Sequence, residues 1–133
     1  MLDNTITLPV DELENDTLVN QDYTRYDEYN NRTIYVGTGH TLAQRDTMTV
    51  SRTFPKPSGN HPGVAKSSLK FTQDISIPGV DTTTTLVAPD IGEVNFSLPV
   101  GTTPAQAMML RQRIVAALNS QTFIVALTES LQV

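Results

Sequence analysis

The sequence predicts an α+β fold with strands first and helices last. Three observations carry that prediction. Thr47 to Phe54 alternate at period two; Val94, Phe96 and Leu98 alternate with Glu93, Asn95 and Ser97; and the chain closes on a capped, apolar helical stretch. A length of 133 residues, 38% hydrophobic, suits one domain with a core that is sufficient but not generous. Within 1–133 the organisation reads as an N-terminal hairpin over 1–20, a sheet over 32–99 and helices over 103–131.

Taken in order, Thr5-Ile6-Thr7-Leu8 alternates and meets Pro9, Asp11 to Asp16 forms an acidic turn, and Thr17-Leu18-Val19 resumes a strand. The clustered acids read as a solvated turn, with a divalent-cation site as the alternative. Tyr23, Tyr26 and Tyr29 then recur at steps of three among Asn, Asp and Glu, without a strand or helix period, so residues 20–31 read as a loop. Their rings pack on a neighbour or, in the alternative, stack on bases. Arg32 to Val36 is a short strand. The Gly37-Thr38-Gly39 that ends it lacks the third glycine of a dinucleotide loop.

In the centre, the alternating strand 47–54 and a second strand from Val64 to Ile75 flank a turn-rich connector, Pro55 to Gly63, and make a long hairpin. Leu69, Phe71 and Ile75 share one face of the second strand, and Ser68, Lys70, Thr72 and Asp74 the other. Ser76 to Thr85 reads as an exposed loop whose threonines can also extend a flanking strand. The last strand ends at Pro99 and Gly101.

Thr103-Pro104-Ala105-Gln106 has the form of a capping box with proline at the first helical position. At 100° per residue, Leu118, Ile114, Ala107, Leu110, Ala117, Val115 and Met108 fill about half the circumference of the helix that follows. Arg111 falls inside that apolar half. It reads as an interface residue, or else as a stem lying over the helix edge with its head in water. Ser120 is placed to cap a shorter helix carrying Phe123, Ile124, Leu127 and Leu131.

One side of the sheet is thus apolar, and the other is flat and hydroxyl-rich: Thr49, Ser51, Thr53, Ser68, Lys70, Thr72, Asn95 and Ser97. The second side is either a solvated face or a platform for RNA phosphate, sugar and base edges. Five strands at ~4.8 Å spacing make a sheet roughly 20 Å or more across, whereas one helix covers ~10 Å. One long helix and one short one cover such a sheet poorly. An obligate dimer is therefore expected, with each chain's helices on the other's sheet through Leu110, Arg111, Ile114, Leu118 and Phe123, and with two sheet edges paired.

Composition narrows the function. With no cysteine there is no disulfide framework, thiolate nucleophile or zinc finger. No apolar run reaches the ~18 residues of a membrane span, and the Met-Leu-Asp-Asn start lacks a secretory pattern, so a soluble, unprocessed chain is expected. The net charge of -5 is uneven: residues 1–31 hold eight acids against Arg25 alone, leaving the rest at +2. An acidic total opposes indiscriminate nucleic-acid binding, although a local basic patch would be hidden in it. His40 and His61 are the only imidazoles, both in loops, with no serine, cysteine or metal-ligand motif beside them. Catalysis is not expected.

This order of elements, together with Met48-Thr49-Val50-Ser51 and Ser68-Leu69-Lys70-Phe71, resembles the coat protein of single-stranded RNA bacteriophages of the levivirus type across essentially the whole chain. The resemblance implies an intertwined homodimer with a ten-stranded sheet. It implies ninety such dimers in a T=3 icosahedral shell, helices outside and sheet toward the genome, in a virion assembled in the bacterial cytoplasm. It also implies that the dimer grips a hairpin of the viral RNA, repressing replicase translation and marking the genome for packaging. Carried over by position, Thr49, Ser51, Ser68 and Lys70 would form a pocket for an unpaired base, with Thr53, Lys66 and Asn95 on or near the same surface. No cofactor is implied, and calcium at subunit contacts stays open. Ile91 and Glu93 depart from the family pattern, standing where a stacking tyrosine and an asparagine are expected, so the same hairpin would not be recognised. The rival readings are an enzyme and another assembly module, such as a tail, pilus or adhesin subunit.

Overall fold

In the computed structural model, which describes residues 2–81 and 83–130, eight elements follow one another along the chain. They are β1 (Thr5–Val10), β2 (Val19–Tyr29), β3 (Arg32–Gly37), β4 (Asp46–Thr53), β5 (Val64–Pro78), β6 (Thr85–Pro99), α1 (Pro104–Asn119) and α2 (Gln121–Thr128). The strands form one antiparallel sheet in sequence order, β1 to β6. Strands first and helices last is the expected order, but the sheet has six strands rather than five, because the N-terminal hairpin is joined to it through β2.

The residues expected to form a loop over 20–31 are therefore mostly strand. Only Gln21, Tyr23 and Arg25 of β2 are half-buried, and none is aliphatic, so the inward face carries no apolar signature. A register shift between Arg25 and Asp27 then breaks the period just where Tyr26 stands. Similarly, β5 runs on to Pro78 and β6 begins at Thr85, which shortens the expected loop. Pro89 lies inside β6 and is tolerated because β6 is an edge strand. Thr82 of the threonine run and Leu131 of the last helical segment lie outside the described residues.

Pairing fixes the two faces. Tyr35, Met48 and Phe71 lie side by side across β3, β4 and β5, with Val50, Leu69 and Val94 as the next row of the same face. Tyr35 is fully buried and Met48 is 2% exposed, and they are the only buried hydrophobic side chains among the described residues. The Tyr35 hydroxyl donates to the Asp3 carbonyl at 3.0 Å. Arg25 donates to the carbonyls of Leu2 and Asp3, so the N-terminal segment is strapped across this end of the apolar face. Tyr23 meets Phe71 edge-on, centroids 5.8 Å apart. Burial, then the carboxylates of Asp46 and Glu12, hold its hydroxyl above the ordinary pKa. Gly37 pairs with Tyr23, and a Cβ there would displace the Asp46 carboxylate from its present position.

α1 starts as expected. Thr103 Oγ1 accepts from the Gln106 amide at 3.3 Å, and Gln106 Oε1 accepts from the Thr103 amide at 3.0 Å. Ser120 stands at the N-cap of α2, but its side chain makes no capping bond. Neither helix has a buried residue within the chain. Met108, Met109, Leu110, Val115, Leu118, Phe123 and Leu127 are all exposed, Phe123 to 54%. α1 touches α2 but buries none of its 16 residues within the chain, so the packing of an apolar face that supplies most of a helix's stability in proteins is missing from it.

Candidate nucleic-acid interface

The opposite face is built by the same registers. Thr49 pairs with Lys70, Ser51 with Ser68 and Thr53 with Lys66 between β4 and β5. Across to β6, Ser68 pairs with Asn95 and Lys66 with Ser97. Period two then places all seven residues singled out from the sequence (Thr49, Ser51, Thr53, Lys66, Ser68, Lys70 and Asn95) on one face of three neighbouring strands. Ser51 Oγ and Ser68 Oγ lie 2.5 Å apart in a hydrogen bond that ties the two strands across the middle of that face.

Two shallow recesses mark the surface. One, about 280 Å³, is lined by Ser51, Thr53, Lys66, Ser68, Asn95 and Ser97 with their neighbours. The other, about 290 Å³, is lined by Arg32, Ile34, Arg45, Thr47, Thr49, Lys70 and Thr72. Both combine hydroxyl groups with cationic side chains, alongside Phe96 in the first and Ile34 in the second, and the hydroxyls and cations are groups that phosphate and sugar oxygens can use.

The charges of the second recess are not equivalent. Arg45 grips Asp74 with two bonds, Nε to Oδ2 at 3.0 Å and a terminal nitrogen to Oδ1 at 3.1 Å. That fork, with the Arg45 amide on the same carboxylate, holds Asp74 below the ordinary carboxylate pKa. Arg32 and Lys70 make no ion pair within 4.0 Å among the described residues. Glu93 is the direct cross-strand partner of Lys70, and Ile91 of Thr72, so both departures from the family pattern stand on this face. The carboxylate offsets part of the Lys70 charge and repels phosphate.

Arg32 and Arg45 were not among the candidates from the sequence, although Arg45 shares its parity with Thr47, Thr49 and Ser51 and so falls on their face. Of the three tyrosines, Tyr23 is turned to the apolar face against Phe71. Tyr29, paired with Arg32, belongs to the hydroxyl face. The two histidines are occupied locally: His40 Nδ1 accepts from the Asp46 amide and His61 Nδ1 from the Gly63 amide. In the acidic turn the Asp11 carboxylate accepts from the amides of Asn15 and Asp16. No group of three or more His, Asp or Glu side chains among the described residues is arranged to hold a metal ion. Among the described residues no helix is long and apolar enough to cross a membrane.

No protein-family model and no curated protein matches this sequence. Solved structures do match it. The virus-like particle of bacteriophage AVE019 aligns over 100% of this chain and 99% of its own, at TM-score 0.78 and 18% identity. That of Beihai levi-like virus 32 aligns over 85% and 88%, at TM-score 0.71 and 23% identity. The chain has the levi-like coat fold. The virus-like particle of bacteriophage ESE058, with TM-score 0.71 over 96% of this chain at 16% identity, shares it.

Proposed function

We propose that the chain is a capsid subunit that works as a homodimer, closes into an icosahedral shell, and turns its hydroxyl face toward single-stranded RNA. The observation that carries this reading is a pair of apolar helices with no core of their own, in a chain whose whole length follows the fold of virus-like particles. A helix in that state needs a second chain. In the proposed dimer Leu110, Arg111, Ile114, Leu118 and Phe123 of one copy cover the apolar sheet face of the other.

The 15-residue β6 is a free edge in the single chain, and a long unpaired edge invites another strand. Pairing of two β6 edges about a twofold axis gives a sheet of twelve strands, not the ten expected from five per chain. Packing into a T=3 shell of ninety dimers, assembly in the bacterial cytoplasm, and recognition of an RNA hairpin with translational repression are the finer parts of the proposal. Thr49, Ser51, Ser68 and Lys70 form the proposed contact centre, with Thr53, Lys66 and Asn95 at its margin. Under this reading the protein is structural, not an enzyme. No cofactor is included, and shell formation in the presence of a chelator checks that part.

Expression of the chain alone in bacteria, followed by electron microscopy and RNA extraction, tests the reading. Closed shells containing RNA are expected. Fibres, or small species free of RNA, would favour a tail, pilus or adhesin subunit instead.

A further inference from the structure

Tyr29 is one of the most exposed aromatic side chains of the molecule, at 70%. Its position is tightly set. It closes the β2–β3 turn opposite Arg32, with Asn30 in the left-handed region at φ 51 and the Asn31 carbonyl accepting from the Arg52 amide at 2.9 Å. The hairpin end that carries Tyr29 is thus pinned to β4 and is not a loose tip.

Cross-strand pairing then defines one lateral row: Tyr29 on β2, Arg32 on β3, Ser51 on β4, Ser68 on β5 and Asn95 on β6. Four strand spacings of ~4.8 Å make this row roughly 19 Å long. It begins with an aromatic ring in water, continues with a guanidinium that has no ion-pair partner among the described residues, and ends in hydroxyl and amide groups. A solvated face gains nothing from a tyrosine ring held in the open. A nucleic-acid strand does: a base stacks on the ring, the next phosphate meets the cation, and the sugar and base edges meet the hydroxyls.

We infer that Tyr29 is a base-stacking platform and Arg32 its adjoining phosphate contact, extending the RNA track from the serine pair out to the β2–β3 hairpin. The inference rests on the proposed RNA-facing role of the sheet. It assigns the outer end of the track to residues with aromatic and cationic chemistry, where the centre has only hydroxyls and Lys70.

The protein has no tryptophan, so Tyr29→Trp places a single fluorescent reporter at the site. The test titrates the purified dimer with a short unstructured oligoadenylate, using Tyr29→Trp, Tyr29→Ala, Arg32→Gln and Lys70→Ala. Quenching of Tyr29→Trp emission, about tenfold weaker binding of Tyr29→Ala, and a salt dependence of Arg32→Gln shallower by about 1 are expected. If Lys70→Ala weakens binding while Tyr29→Trp stays unquenched and Tyr29→Ala binds as wild type, the platform is wrong and the RNA-facing sheet stands. If the wild-type dimer binds no RNA, both fall. If Tyr29→Ala binds RNA normally but fails to close shells, the ring is a contact between subunits, and the inference is overturned.

Discussion

Lys70 stands between Thr49 on one neighbouring strand and Glu93 on the other, so in the proposed RNA contact its charge would act with a carboxylate alongside. Lys70→Ala is expected to weaken RNA binding and to reduce the salt slope by about 1, with dimers intact. Glu93→Gln is expected to strengthen binding at the same salt, and weaker or unchanged binding would show that phosphate does not pass this point. Asp74 yields a pH prediction. Its pKa is held below the ordinary 3.8 by Arg45, so the native state favours the ionised form. The stability this adds is full above the unfolded-state value and is lost as pH falls through the lower folded value. The stability difference between wild type and Asp74→Asn is therefore constant near neutrality and shrinks below about pH 4, which acid titration of urea midpoints can check. The seven candidates on the hydroxyl face were legible because period two is a strict rule once a strand is recognised. Tyr29 and Arg32 were not, because their place depends on which partner β2 and β3 choose.

Individual elements show where local sequence is decisive and where it is not. The capping box of α1 is wholly local, four residues whose hydrogen bonds need no tertiary partner, and it forms as read. Thr103→Ala is expected to cost about 1 kcal/mol, seen as a lower denaturation midpoint of the protein. By contrast β2 is specified by its neighbours. Its inward residues are Gln21, Tyr23 and Arg25, which become strand because β1 and β3 supply ladders on both sides. The turn between β5 and β6 is set by Asp81, whose carboxylate accepts from the Thr83 and Thr84 amides and the Thr84 hydroxyl. Those contacts draw its pKa down. Deleting Pro78, Gly79 and the threonines that follow is expected to leave dimers that do not form normal shells. Unaffected particles by electron microscopy would show that this turn makes no contact between dimers.

The whole molecule is an open structure as a single chain: a broad sheet with two buried hydrophobic side chains among the described residues, and two helices with none. Full burial of a Leu, Met or Phe side chain is worth roughly 1.5–3 kcal/mol, so the half-exposed groups of α1 and α2 represent several kcal/mol gained only when a partner covers them. That deficit was already legible in the sequence, from a helix apolar over half its circumference and a sheet too broad for it. The strand count was not, because joining the hairpin to the sheet is a tertiary choice. If two copies share one core, folding and association are a single event. Urea unfolding followed by far-ultraviolet circular dichroism over a hundredfold range of protein concentration tests this most directly. The shared core predicts that the midpoint rises with concentration and that sedimentation finds no folded monomer at any dilution. A midpoint independent of concentration, with a folded monomer at the lowest concentration, would contradict it.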